Sequence, residues 1–252
     1  MNKVMKRFIL LLIIAMQFSA CSVDVDEFKR AVEQGNIEFI KDNICDIPKD
    51  KEFDIKRSAL SLSIEQRKWE VASYLIDQGA SGSTYALCKA LKDKDGENIA
   101  LQMIKADDEL GIETYYDENM YDGATPLQYA LSYRKEKAAL LLLKKQANPF
   151  YYGTHFLAPV FIAAEINAQE VMRLLINKYN KSQDIVDMVA SDGTTPLYYA
   201  IKDNNIDMIT LLLNSGADLS KIPQDKFNTV VYLSKPHVKL FIEQKMKDRE
   251  NY

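Results

Sequence analysis

The sequence predicts an all-α solenoid of about seven stacked helix–turn–helix units. The phrase DGATPLQYAL begins at Asp122, and a near copy, DGTTPLYYAI, begins 70 residues later at Asp192. This separation is about two periods of a repeat of roughly 33 residues. A second apolar stretch with helical spacing follows each copy. Because one short unit cannot bury its apolar face alone, the repetition favours a stack over a generic helical bundle.

The repeated phrase predicts a turn followed by a short helix. Asp-Gly makes a tight turn because Gly tolerates positive φ and Asp hydrogen-bonds its own backbone. The next Thr caps a helix, and the Pro after it fits the first helical turn. The apolar run then begins with Leu127 in one copy and Leu197 in the other. We expect both leucines to be buried.

Weaker copies of the phrase supply the neighbouring units. They lie at residues 58–63, 85–90 and 158–163, and each precedes a second apolar stretch of helical period. Gly79 and Gly216 stand where two of these second helices would end. These units, one between the two strong phrases and two upstream of them, are therefore predicted to continue the same stack.

Taken together, these phrases resemble ankyrin repeats. The resemblance covers nearly all of residues 24–247, so the repeat domain is predicted to be residues 24–252. Residues 26–44 (DEFKRAVEQGNIEFIKDNI) resemble a degenerate N-terminal capping unit. Residues 225–246 (DKFNTVVYLSKPHVKLFIEQKM) resemble a last helix pair, in which Pro236 begins the second helix.

The first twenty residues differ in kind from the repeats. Three cations, Lys3, Lys6 and Arg7, precede the apolar stretch FILLLIIAM, which is too short to span a bilayer as an ordinary transmembrane helix. A basic head, an apolar middle and small residues before a cysteine are typical of a bacterial signal peptide. Residues 1–20 are therefore predicted to be removed, which would change the net charge from −4 to −7.

The end of this segment resembles the lipobox of bacterial lipoproteins, with Phe18 where Leu is usual. The resemblance implies a lipid on Cys21 and a tether at residues 21–23. Ser22, rather than Asp, follows the cysteine, which by the same resemblance favours the outer membrane with the protein facing the periplasm. A plain secretory signal, inner-membrane anchoring and a minor cytosolic form that starts at Met16 remain open alternatives.

The sequence contains no recognisable catalytic constellation. His155 and His237 are its two histidines, and motifs such as HExxH, GxSxG or a glycine-rich phosphate loop are absent. The net charge of −4 and the lack of a sustained basic stretch argue against nucleic acid as a partner. Cys45 and Cys88 fall in units too far apart for a disulfide, so both are predicted to be buried and unpaired. We expect no enzymatic activity, no cofactor and no metal site.

The ankyrin resemblance implies a partner-binding face made of turn tips and first helices. Transferring the variable contact positions of the family onto this sequence gives candidates in five units. They are Glu65, Gln66, Lys92, Asp93, Tyr121, Asp122, Ser132, Tyr133, Tyr151, Tyr152, His155, Glu165, Ile166, Asp192, Lys202 and Asp203. Several are tyrosines, which are enriched at protein interfaces.

One insertion, residues 107–121, breaks the period. It contains six acidic residues, no Lys or Arg, and three tyrosines, and insertions in solenoids often lie on the binding face. We interpret it as an acidic, aromatic loop that meets a basic partner. Its candidate contact residues are Asp107, Asp108, Glu109, Glu113, Tyr115, Tyr116 and Tyr121.

Ankyrin-repeat lipoproteins of this kind resemble immunity proteins of type VI secretion lipase effectors. The resemblance implies a periplasmic, membrane-anchored module that neutralises a secreted phospholipase by direct binding. The alternative is a periplasmic scaffold that supports an envelope or stress-protection enzyme. An ankyrin effector directed at a host cell is disfavoured by the lipidation signal.

Overall fold

The computed structural model describes residues 24–44, 52–54, 57–106, 110, 112, 123–151, 157–179 and 185–250. The predicted signal peptide, the tether with Cys21 and most of the acidic insertion lie outside these residues.

The described residues form fourteen α-helices in seven consecutive pairs, as the repeat pattern predicts. In chain order they are α1 (Val25–Gln34), α2 (Ile37–Asn43), α3 (Ala59–Glu65), α4 (Trp69–Asp77), α5 (Thr84–Lys92), α6 (Glu97–Ala106), α7 (Pro126–Ser132), α8 (Glu136–Lys144), α9 (Pro159–Glu165), α10 (Gln169–Tyr179), α11 (Pro196–Lys202), α12 (Ile206–Asn214), α13 (Gln224–Leu233) and α14 (Pro236–Glu250). A single 3₁₀ turn, Leu219–Lys221, precedes α13. The fold class is therefore all-α.

A short hairpin is the one element that the repeat pattern does not predict. Strands β1 (Glu52–Asp54) and β2 (Arg57–Ser58) pair antiparallel, and β2 leads directly into α3. The hairpin occupies the place of the Asp-Gly turn that precedes the strong phrases. Its sequence, EFDIKRS, contains no turn-forming Gly, Pro or Asn, so no local signal marked it.

The chain divides into two compact units. In the first unit, α1 packs against α3 and α2 packs against α4. In the second unit, the first helices of successive pairs form one row, α7–α9–α11–α13. The second helices form another row, α8–α10–α12, and α14 packs against α13.

Side-chain capping explains where the helices of the strong phrases begin. The Thr125 hydroxyl accepts a hydrogen bond from the backbone N–H of Gln128, and the Gln128 side chain accepts one from the Thr125 N–H, which completes a capping box. Gln128 is fully buried, and its amide also donates to the carbonyls of Tyr151 and Leu157 at 3.2 and 3.0 Å. This one side chain therefore fixes both its own helix start and the turn of the next pair.

The turn inside most pairs has one recurring backbone form. Gly35, Arg67, Arg134, Asn167 and Asn204 each adopt positive φ, between 56° and 76°, just after a first helix. In each turn the following backbone N–H reaches back to a carbonyl five residues earlier, as from Lys135 to Ala130 at 2.7 Å. This is the Schellman arrangement, which satisfies carbonyls at a helix end with backbone atoms alone.

The core follows the repeat. Leu127 and Leu197 are both 0% exposed, as predicted. Cys88 is buried and unpaired, and burial raises the pKa of its thiol because the thiolate is poorly solvated there. Cys45 lies outside the described residues.

Candidate functional site

A row of half-buried and exposed side chains in the second unit lies at the ends of first helices. We call it the helix-end row and define it as Lys92, Asp93, Ser132, Tyr133, Glu165, Ile166, Lys202 and Asp203. These are predicted contact positions, and each pair of residues closes one of the helices α5, α7, α9 and α11. Because α7, α9 and α11 pack side by side, the last three of these pairs fall next to one another.

Hydrogen bonds between successive turns hold the row in register. The Lys135 ammonium donates to the Lys94 carbonyl at 2.8 Å, which joins the α7–α8 turn to the α5–α6 turn. One guanidinium nitrogen of Arg134 donates to the Ile166 carbonyl at 3.2 Å. The Asn205 amide donates to the Glu165 carbonyl at 2.9 Å. The row is therefore supported from the backbone side and presents its own side chains to solvent.

Tyr133 is the exposed aromatic residue of the row, with 40% of its surface accessible. Its ring stacks on that of Tyr129, with centroids 5.9 Å apart. Tyr129 is largely buried, so it fixes the orientation of the outer ring. An aromatic ring held in place before binding loses little conformational entropy on binding, which suits an interface contact.

An ion pair crosses the row between α9 and α11. The Lys202 ammonium lies 3.2 Å from a Glu165 carboxylate oxygen and 5.6 Å from the centroid of the Tyr199 ring. Burial lowers the pKa of Lys202, but the hydrogen bond and charge of Glu165 outweigh it and leave that pKa raised. The neighbouring Asp203 has a raised pKa because of burial and repulsion by Glu165. Both partners of the ion pair are partly exposed, so the pair orients the side chains more than it stabilises the fold.

The structure adds two residues that the repeat pattern misses, Tyr232 and Leu233 at the end of α13. Helix α13 packs against α11, and the Lys235 backbone N–H donates to the Asn204 side chain at 2.6 Å, so their ends are adjacent. Tyr232 is 80% exposed and Leu233 is 73% exposed. They continue the helix-end row with apolar surface. Their unit lacks the Thr-Pro-Leu phrase, and the position of the following Pro236 was the only local signal.

Asp192 is partly exposed and also takes part in hydrogen bonds and an ion pair. Its carboxylate accepts hydrogen bonds from Thr194 and lies 2.7 Å from the Lys226 ammonium of α13. Burial raises the pKa of Asp192, but the hydrogen bonds from Lys226 and Thr194 outweigh this and lower it to about 2. The side chain therefore links one turn to the next unit, while 52% of it stays accessible.

Part of the repeat region matches a known family model. Residues 153–222, which include α9 to α12, match the family model described as ankyrin repeats in three copies. The chain carries ankyrin repeats. Among curated proteins, an ankyrin repeat protein of Acanthamoeba polyphaga mimivirus, L371, is 28% identical over 134 residues, which is 53% of this chain and 15% of that protein. The chain spans between 5% and 15% of the length of the curated relatives that it matches.

Two solved structures share the ankyrin fold of this chain. The human ASB11 ankyrin repeat domain superposes with a TM-score of 0.56 at 18% identity, covering 83% of this chain and 91% of that one. A chain from the complex of the Bdellovibrio bacteriovorus predatory endopeptidase Bd0816 with its immunity protein Bd3460 gives a TM-score of 0.53 at 19% identity. That match covers 74% of this chain and 96% of the other.

In the first compact unit, the ankyrin contact positions Glu65 and Gln66 close α3. Gln66 is exposed, and Glu65 is half-buried and accepts a hydrogen bond from the Tyr85 hydroxyl. Tyr151, in the second unit, is half-buried, and its carbonyl accepts from Gln128. These three positions remain predicted contacts.

The other predicted ankyrin contacts lie outside the described residues and stay predictions. They are Asp107, Asp108, Glu109, Glu113, Tyr115, Tyr116, Tyr121, Asp122, Tyr152 and His155.

The described part of the chain was also searched for membrane-spanning helices and for clusters of metal-ligating side chains. Among the helices that it describes, none combines the length and apolar character that crossing a bilayer requires. Within the same part of the chain, no three His, Cys, Asp or Glu side chains come close enough together to hold a metal ion. The features that the repeats do present are exposed, preoriented side chains at helix ends, which are suited to contact with another protein.

Proposed function

We propose that this protein is a non-catalytic immunity protein that binds and neutralises a secreted effector in the periplasm, namely a phospholipase delivered by a type VI secretion system. The observation that carries the proposal is the helix-end row: Tyr133 stacks on Tyr129, Lys202 pairs with Glu165, and bonds from Arg134 and Asn205 to backbone carbonyls fix the turns beneath them. A surface built in this way is typical of a binding module.

The fold comparison supports a partner of this class. A chain with the same fold occurs in a complex of a bacterial endopeptidase with an immunity protein. The proposal transfers only the class of partner, since the identity of 19% shows the fold alone. The lipase specificity comes from the resemblance of the sequence to ankyrin-repeat lipoproteins.

Membrane anchoring is the second part of the proposal. A lipid on Cys21 would hold the repeats at the inner face of the outer membrane, where an effector that attacks phospholipids must act. Tethering both proteins to one surface raises their effective concentration without any new contact. Inhibition would then occur by steric occlusion of the effector.

The test uses the products of genes that neighbour this one. The purified protein should capture a secreted lipase among them, and cells that express the protein should survive exposure to that lipase. A Tyr133→Ala/Lys202→Ala variant should fold normally, bind at least tenfold more weakly and protect poorly. As a matched control, Tyr74→Ala/Lys144→Ala changes the same residue types on the second helices α4 and α8, and should protect as well as the unmodified protein.

Two results would contradict the proposal. The first is full protection by the Tyr133→Ala/Lys202→Ala variant, which would exclude the helix-end row. The second is capture of a periplasmic enzyme whose activity rises in the complex, which would favour the scaffold alternative.

A further inference from the structure

We propose that the last helix pair carries a docking patch for an acidic protein segment that presents an apolar side chain. We call it the terminal patch and define it as Tyr232, Leu233, Lys235, Lys239 and Leu240. This inference rests on the proposed function, because it assigns the patch to the same protein partner. It adds the chemistry of the partner segment that the patch binds.

The apolar part of the terminal patch is strongly exposed. Tyr232, Leu233 and Leu240 are 80%, 73% and 67% exposed. Exposed apolar side chains that cluster on a folded domain often mark a contact surface. The exposure does not reflect loose packing, because Val238 and Ile242 on the same helix are 0% and 1% exposed. Leu240 lies midway between them in sequence, and therefore on the opposite side of α14.

The charge of this segment is opposite to that of the chain. Residues 226–242 contain three lysines and no acidic residue, whereas the whole chain has a net charge of −4. Lys226 is paired with Asp192. Lys235 and Lys239 are exposed and form no ion pair with any of the described residues. Lys235 lies two residues after Leu233, and Lys239 directly precedes Leu240, so each lysine is close along the chain to an exposed apolar residue.

This combination favours a protein over a membrane as the occupant. Anionic lipid surfaces are recognised by clusters of four to eight cations, and the terminal patch offers two. Protein interfaces instead concentrate their energy in a few aromatic and aliphatic anchors, with charges at the rim that select the partner. A symmetric contact between the patches of two copies is disfavoured, because two cationic patches facing each other would repel. An acidic segment with an apolar residue complements both features.

A library of random 12-residue peptides displayed on phage identifies the kind of peptide that binds the terminal patch. Panning on the purified full-length protein should enrich peptides rich in Asp and Glu that contain an aromatic or aliphatic residue. Their affinities are then measured by fluorescence polarisation on synthetic peptides. Lys235→Glu/Lys239→Glu and Tyr232→Ala/Leu233→Ala should each weaken binding at least tenfold. Lys137→Glu/Lys144→Glu, which makes the same charge change on α8, should leave the affinity within twofold.

Several outcomes would overturn the inference. Enriched peptides without an acidic bias would do so, as would acidic peptides that bind the patch variants as tightly as the unmodified protein. The inference would also fail if the protein sedimented with phosphatidylglycerol vesicles, or associated with itself, and the patch variants did not. Thermal unfolding of each variant, followed by circular dichroism, confirms that it is folded. The proposed function is tested separately by the Tyr133→Ala/Lys202→Ala variant and cell survival, so either proposal can fail without the other.

Discussion

At the scale of single residues, Leu127 and Leu197 occupy equivalent places at the start of α7 and α11, and both are 0% exposed. Replacing either by Ala should lower the free energy of unfolding by about 2–5 kcal/mol, because it removes buried methyl groups and leaves a cavity. Urea denaturation measures the change. Val189→Ala, at a position 53% exposed, is the matched control and should change stability by less than about 0.5 kcal/mol. A loss below about 1 kcal/mol at both leucines would place the core elsewhere.

Asp192 gives a second prediction at this scale, because its pKa is lowered from 3.8 to about 2. A carboxylate with a depressed pKa stabilises the fold above its unfolded pKa, and this contribution is lost as the pH falls through its folded pKa. Asp192→Asn should therefore destabilise the protein at pH 7, by less than about 1 kcal/mol because the side chain is half exposed. The difference from the unmodified protein should shrink between pH 4 and 2.

The partner residue provides the check on that prediction. Lys226→Gln should reproduce the loss seen with Asp192→Asn at neutral pH, and combining the two should add little, since both remove the same ion pair. A double-mutant cycle is obtained from the unfolding free energies of the unmodified protein, the two single variants and the double variant, measured at pH 7 and at pH 2. Independent, additive losses would show that the contact does not form in solution.

Sequence reasoning succeeded at the leucines and failed at this ion pair for a physical reason. A leucine inside a repeated phrase is placed by the periodicity of its own helix. The contact between Asp192 and Lys226 joins residues 34 apart, across two units, and the second of these lacks the repeated phrase. Only the packing of α13 against α11 brings the two side chains together.

At the scale of elements, the turn between α9 and α10 contains Asn167 in the left-handed region, with a φ of 61°. Gly adopts this conformation without strain and Asn tolerates it better than most residues, whereas Ala pays close to the full cost of a β-carbon there, roughly 1–2 kcal/mol. Asn167→Gly should leave the stability nearly unchanged, and Asn167→Ala should lower it by about 1 kcal/mol. Chemical denaturation of both variants isolates the backbone effect. Equal stability of the two would mean that this turn relaxes to negative φ.

The elements themselves were predictable to different degrees. The pairs with Thr-Pro-Leu phrases were placed closely, since Thr125 and Thr195 cap their helices as expected. The exposed end of α13 was not anticipated, because Tyr232 and Leu233 are apolar and the repeat pattern places apolar residues in the core. The β1–β2 hairpin had no Gly, Pro or Asn to mark its turn.

At the scale of the whole molecule, the proposed lipid on Cys21 determines where the repeats act. Cys21→Ala should abolish labelling by radioactive palmitate and move the protein from the membrane fraction to the soluble fraction. Cys88→Ala is the matched control and should leave both labelling and fractionation unchanged, because that thiol is buried in the core. Undiminished labelling of the Cys21→Ala variant would remove the lipoprotein proposal.

The Schellman bonds of the turns connect backbone atoms only, and the neighbouring contacts from Arg134 and Asn205 end on carbonyl oxygens. A carbonyl is present whatever side chain its residue carries. Substitutions at Ser132, Glu165, Ile166 or Lys202 therefore leave these bonds intact while changing the surface that faces solvent. If the helix-end row binds an effector as proposed, its side chains can change one at a time during evolution, and related proteins can match different effectors with the same scaffold.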